Sequence, residues 1–180
     1  MTLEEMKNKI LSMIEEYNEE ADTLTDDEDL ATKINGVINQ IQNELARYKK
    51  IDAYTTMEVE ENQDIALTDI DSLIYQLNVI KDVEYEQVGN RIIFKEEGTA
   101  RIYYYKYPKQ IDSETEDDFV FDLDRDVLEI MPYGVAGDLL KSDVSSQYGT
   151  VYSNRYRELI QSLDPRNSMP SMYFEGGLDF

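Results

Sequence analysis

The chain contains no cysteine, no histidine and no tryptophan, and it is short of cations. Lys and Arg total 17 against 39 Asp and Glu, a formal net charge of −22 over 180 residues. Each absence closes a class of chemistry. Without His or Cys there is no Ser-His-Asp or Cys-His nucleophile and no zinc site of the usual kind. Thiol redox chemistry and a disulfide-stapled secreted scaffold go with them. The shortage of Lys and Arg disfavours tight binding to nucleic acid or anionic lipid, because neutralising phosphates requires clustered cations. DNA passing such a surface without adhering is compatible with the charge. No apolar run approaches the roughly 20 residues a membrane-spanning helix needs. The opening MTLEEMKNKILSMIEEYNEE has neither the uninterrupted apolar core nor the cleavage site of a signal peptide. The expectation is a soluble protein made in a cytoplasm, with no membrane partner, forming a single domain with a sizeable core.

Hydrophobic periodicity divides the chain into parts. In residues 3–50, Leu3, Met6, Ile10, Met13, Ile14 and Tyr17 recur at helical steps, as do Leu30, Ile34, Val37, Ile38, Ile41, Leu45 and Tyr48. Two amphipathic helices are predicted. Thr2 with Glu5, and Thr25 with Glu28, are capping-box signatures. Arg47, Lys49 and Lys50 close the second helix, where cations oppose the negative end of the macrodipole; this is a simpler account than a phosphate contact.

Residues 54–110 read as antiparallel sheet. Thr55–Glu60 alternates, Ile65-Ala66-Leu67 is a second short strand, and Asp69–Ser72 is a turn or a single helical turn. Leu73, Tyr75, Leu77 and Val79 also alternate. Ile70, Ile74, Leu77 and Ile80 suit a helix as well, but the β-branched and aromatic content favours strand. Val83–Gln87 and Arg91–Lys95 flank Val88-Gly89-Asn90, a tight-hairpin signal. Ala100–Tyr107 then completes a meander that Pro108 ends. An acidic connector over 112–126 leads into two further helices within 126–163, Pro132 marking a helix start or kink and Asp164-Pro165 a stop.

Which of these residues carry chemistry? Carboxylates are the only catalytic material in supply, and they lie on helix faces and in a charged loop where mutual solvation is the simpler reading. No enzyme activity and no cofactor are expected. The connector lacks the alternating acids and central Gly of a calcium loop. Tyr103, Tyr105 and Tyr107 share one strand face beside Arg101, Lys106 and Lys109. A stacking platform for single strands is one reading; cross-strand packing explains the pattern equally well and suits the net charge. The tail 164–180 has no regular period, yet it concentrates Met169, Met172, Tyr173, Phe174, Leu178 and Phe180. Such a segment either folds back over its own core or is an arm ordered on a partner surface, where aromatic and Met anchors carry binding. The arm is the reading adopted. Within the closing helix, Tyr152, Arg155 and Tyr156 are the candidate contacts to a neighbouring subunit.

The order Val83–Phe94, then Gly98 into Arg101-Ile102-Tyr103-Tyr104-Tyr105-Lys106-Tyr107-Pro108, resembles the head–tail connector (adaptor) proteins of tailed bacteriophages. Leu128–Leu140 with its Pro132-Tyr133 pair adds to this, as does Tyr152–Ile160 with Arg155-Tyr156. The likeness covers about residues 30–163 and extends to the tail tubular protein A branch of short-tailed phages. It implies an α+β fold: a helical bundle of two N-terminal and two C-terminal helices, an inserted antiparallel sheet domain and an extended C-terminal arm. It also implies a structural protein of the virion neck, made in the host cytoplasm. That protein would form a homo-oligomeric, typically dodecameric, ring between portal and tail, which extends the DNA channel. The helices would pack ring neighbours, the arm would reach the portal, and the sheet domain would face the next tail or nozzle component. A rival of another class is an acidic DNA mimic that inhibits a DNA-binding protein.

Overall fold

The structure, a computed structural model, describes residues 1–15, 28–142 and 147–163. Two helices, α1 (Leu3–Glu15) and α2 (Glu28–Tyr48), precede a β-rich middle. The middle contains β1 (Ile51–Val59), β2 (Asp64–Ala66), the one-turn α3 (Leu67–Ile70), β3 (Ile74–Lys81), β4 (Tyr85–Val88), β5 (Arg91–Phe94) and β6 (Gly98–Lys106). Two helices follow, α4 (Arg125–Leu139) and α5 (Gln147–Ser162). The class is α+β, as the periodicity indicates, and the ambiguous stretch from Leu73 is strand. The Thr25–Glu28 cap and the whole of 164–180, including every arm residue named above, lie outside the described residues.

The α1 cap forms as its sequence predicts. Thr2 N donates to Glu5 Oε2 at 2.9 Å, and Glu5 N donates to the Thr2 hydroxyl at 3.2 Å. Two further N–H groups of the first turn are satisfied from the connector: Leu3 N donates to Phe119 O at 2.9 Å and Glu4 N to Asp117 O at 3.0 Å. Helix α4 is buried almost all round, through Val127, Leu128, Ile130, Met131, Val135 and Ala136, so it is the centre of the helical side. Pro132 lies inside it rather than at its start. Leu3, Met6 and Ile10 of α1 and Ile34, Ile38, Ile41 and Leu45 of α2 pack around it. Helix α5 closes on α4 where Gly134 and Gly137 leave room. A Cβ at Gly137 would lie 3.0 Å from the Ser153 backbone nitrogen, and one at Gly134 would lie 2.8 Å from the Tyr156 ring.

The middle is not one meander. Its strands form two antiparallel sheets, ordered β1-β6-β3 and β2-β5-β4. The physical reason is length matching: β6 pairs in unbroken register with all of β1, from Ile51↔Lys106 to Val59↔Gly98, and so sits between β1 and β3. The short hairpin folds over with β2 as a second layer. A second core fills the space between, built on Ile92, Phe94, Ala100, Ile102 and Tyr104. Gly89 (φ 63°) opens the two-residue hairpin turn, as a type II′ turn requires of its first central position. Asp82 (φ 74°) holds the turn between the sheets, bound by the Arg101 guanidinium.

The connector is tied down along its length. Asn39 Nδ2 donates to Ile111 O at 2.7 Å while its Oδ1 accepts from Ile111 N at 2.9 Å. Asn35 Nδ2 donates to Asp112 O at 3.1 Å and Gln42 Nε2 to Lys109 O at 2.9 Å. These residues, spaced i, i+4, i+7, lie on one face of α2. Cations hold the acids: Lys7 with Asp117 at 3.4 Å, Lys106 with Asp122 at 3.0 Å, and Lys49 with Asp124 at 3.0 Å and Asp126 at 2.6 Å.

Candidate functional site

Two surfaces present side chains in arrangements that packing alone does not use up. The first is the solvent side of α5. Tyr156, expected on a subunit interface, is 8% exposed and belongs to the chain's own core, against Gly134 and Ile41. Burial raises the pKa of its phenol, with Glu44 and Tyr48 adding to the shift. Tyr152 is half-buried and donates to Met13 O at 3.1 Å, which ties α5 to α1. Arg155 does point outward, its guanidinium 3.2 Å from Glu158. The solvent side of α5 therefore includes Tyr148 (47% exposed), Val151 (56%) and Arg155. Periodicity placed Tyr148 and Val151 on the buried stripe. The first turn of α5 packs through Gly149, where a Cβ would lie 3.1 Å from Leu140, and this leaves Tyr148 and Val151 toward solvent.

The second surface is the outer face of the β1-β6-β3 sheet. In β1 the side chains alternate, Asp52, Tyr54, Thr56 and Glu58 outward and Ala53, Thr55 and Met57 toward the second core. On β6, Tyr103 and Tyr105 share the outward face, opposite Tyr54 and Asp52. Tyr54 stacks on Tyr103 with centroids 6.0 Å apart and Tyr75 on Tyr105 at 6.3 Å, while Tyr107 meets Tyr75 tilted by 40° at 4.8 Å. Cations cap the rings: Lys50 Nζ is 4.3 Å from the Tyr105 centroid and Lys81 Nζ 5.2 Å from that of Tyr103. Desolvation raises the Tyr75 phenol, helped by Tyr105, Tyr107 and Asp52. Packing accounts for the tyrosine strand, with Tyr104 and Tyr105 buried; the exposed ring of this face is Tyr54 of β1, at 71%.

Sequence reasoning put Tyr103, Tyr105 and Tyr107 on this face; it read Tyr75 only as part of an alternating strand and Lys50 only as a helix-closing cation, and it did not single out Tyr54 or Lys81. The signal that finds them is register: Tyr54 lies directly opposite Tyr103, which follows only once β1 is paired with β6. The sheet has a further property, at its edge. β1 pairs with β6 on one side and has no strand on the other among the described residues. The opposite edge strand, β3, carries two register shifts.

The carboxyls whose pKa moves go down. Hydrogen bonding to Lys49 lowers Asp126, to Arg101 lowers Asp82 and to Lys95 lowers Glu86, while Thr115 and backbone N–H groups lower Asp112. A carboxyl acting as a general acid near neutral pH needs the opposite shift. Among the described residues no group of three acids is arranged to hold a metal ion, and no helix is long and apolar enough to cross a membrane. No family model matches the chain, and no curated protein matches it.

Proposed function

We propose that this protein is a structural component of a tailed-phage neck. In this role it forms a homo-oligomeric ring between portal and tail, continues the DNA channel and offers a platform for tail attachment. The observation that carries this reading is where the resembling stretches fall. Val83–Phe94 is the β4–β5 hairpin, Arg101–Tyr107 the central strand β6, Leu128–Leu140 the central helix α4 and Tyr152–Ile160 the helix α5 packed on it. The likeness therefore coincides with the spine of the fold, in the helix–helix–sheet–helix–helix order that an adaptor would have. In the ring, α5 offers neighbours the strip Tyr148, Val151 and Arg155, with Tyr152 at its margin. The arm residues Met169, Met172, Tyr173, Phe174, Leu178 and Phe180 bind partners, the portal among them. Carboxylates lining the channel let DNA slide, because repulsion removes adhesive phosphate contacts. No catalysis and no cofactor enter this role.

Negative-stain microscopy of the protein mixed with portal complexes tests it. The expected image is a ring stacked on the portal, and truncation after Asp164 is expected to weaken that attachment. Sub-micromolar duplex binding at physiological salt would refute the channel role. A protein that stays monomeric beside portal and competes with DNA for a basic target would be the acidic mimic instead.

A further inference from the structure

The buried side chains sort into two sets. The first core draws on α1, α2, α4, α5 and the connector, the second on the six strands, α3 and the turn residue Val83. Among the described residues Ile51, which opens β1, is the one strand residue in the first core. Extensive packing between elements divides in the same way, helix on helix or strand on strand, with the one-turn α3 against β2 and β3. The fold is therefore a helical body and a sheet body, and the joint between them is small.

Both chain crossings lie at one end of the β1-β6-β3 sheet. The first is Lys49-Lys50, between α2 and β1; the second is residues 107–110, between β6 and the connector. Register sets them side by side, since Lys106 at the end of β6 pairs with Ile51 on one side and Ile74 on the other. Ile51 and Ile111 plant the two crossings in the helical core. The surroundings are charged. A cleft of about 90 Å³ at the joint is lined by Lys49, Lys50, Ile51, Asp52, Asp122 and Asp124. Lys106 binds Asp122 at 3.0 Å, and Lys49 binds Asp124 at 3.0 Å and Asp126 at 2.6 Å, with all of these side chains partly exposed. Lys50 Nζ donates to Gln76 Oε1 at 3.0 Å, tying the first crossing to β3. Ion pairs open to water hold weakly, and salt weakens them further. A large apolar interface locks two bodies together, whereas a small polar one leaves relative motion as the default.

We propose that the sheet body swings as a unit on the helical body. The hinges are Lys49-Lys50 and residues 107–110, and the pairs Lys106–Asp122 and Lys49–Asp124/Asp126 brace the rest position. A hinge needs only a few element-terminal residues to absorb the change in φ and ψ, and both crossings supply them. The far end of the sheet, at Val59 and Gly98, lies the length of β1 from the joint, roughly 27 Å. A rotation of about 15° carries it by about 7 Å with every strand pairing and both cores intact. The outer tyrosine face and the β4–β5 hairpin move with it. In a neck ring this motion lets the sheet body adjust to the component that docks on it, but the hinge stands or falls apart from that role.

Because the chain has no cysteine, introduced pairs can carry spin labels at exposed positions. Asn8→Cys with Glu97→Cys spans the two bodies. Asn8→Cys with Thr150→Cys lies within the helical body, and Thr68→Cys with Glu97→Cys within the sheet body. Pulsed dipolar distances are measured on full-length labelled protein diluted into unlabelled protein. The spanning distribution is expected to be about twofold broader than either internal one. Raising salt to about 1 M, where the Debye length is only about 3 Å, should broaden it further, as should Lys106→Met, and the internal pairs should not change. Circular dichroism checks that the variant is folded, and the salt series needs no brace substitution. A spanning distribution as narrow as the internal ones in every condition overturns the hinge. A broad one that neither salt nor Lys106→Met alters overturns the bracing. Broadening of the internal pairs along with it overturns motion as a unit.

Discussion

A pair of glycine substitutions separates two effects that act on every helical glycine. Gly36 and Gly137 both lie inside helices, α2 and α4, so Gly→Ala at either gains helix propensity of about 1 kcal/mol. At Gly36 a Cβ would have no atom within 4 Å. G36A is expected to stabilise by about that amount, a rise of roughly 2–4 °C in Tm for a chain of this size. At Gly137 the new Cβ would lie 2.8 Å from Ser153 Oγ, 3.0 Å from Ser153 N and 3.3 Å from Ser153 Cα. The hydroxyl can rotate away, but the backbone atoms cannot, so α5 must retreat from α4. Overpacking of this kind costs typically about 1–3 kcal/mol, which cancels the propensity gain at the low end of that range and exceeds it over the rest. G137A is therefore expected to unfold earlier in urea than the parent, with unchanged m-value, and to stand about 1–3 kcal/mol below G36A. Equal stabilisation by both substitutions would show that the α4–α5 approach is loose and would refute the packing argument.

Three further predictions follow from the ties between elements. Lys49→Met removes the bridges to Asp124 and Asp126; because the carboxylates are half-exposed, the loss is expected to be no more than about 1 kcal/mol. Its pH dependence has a defined sign. Asp126, lowered by the Lys49 hydrogen bond, contributes stability that is full above the unfolded value of about 4 and is lost as pH falls through its lowered pKa. Lys49, raised chiefly by the Asp126 hydrogen bond, contributes stability that is full below about 10.4 and is lost as pH rises through its raised pKa. Urea midpoints of parent and variant should thus converge at both extremes and differ most between. Thr2→Ala breaks the capping box and should cost about 1 kcal/mol in thermal or chemical unfolding; no change would mean that the connector carbonyls suffice. Tyr104 donates to Asp71 Oδ2 at 2.9 Å, and burial with this bond pushes its phenol up to about 12. A difference titration of parent against Tyr104→Phe at the phenolate absorbance should show one tyrosine ionising near 12, and an ordinary value near 10 would rule the bond out.

Much of this fold could be read without coordinates, wherever the determining interactions are local. Three- and four-residue spacing marks α1, α2, α4 and α5, because a helix has its own period. The Thr2–Glu5 box forms because its partners are one turn apart, and the Gly89-Asn90 turn forms because only two residues decide it. The arm residues 169–180 were named from composition alone, and their contacts lie outside the described residues.

What tertiary structure decided is pairing between segments distant in the chain. Local alternation announces a strand but not its neighbour, so a meander was as legible as the actual β1-β6-β3 order, and the Tyr54–Tyr103 stack and the open β1 edge stayed hidden. Asn35, Asn39 and Gln42 read as the wet side of a helix until the connector arrives to be bound by them. Tyr148 and Tyr156 are both tyrosines of α5, yet packing against α4 buries Tyr156 and leaves Tyr148 about half-exposed. Periodicity records which face of an element is apolar, while register and crossing position, set by long-range packing, determine which of those faces meet.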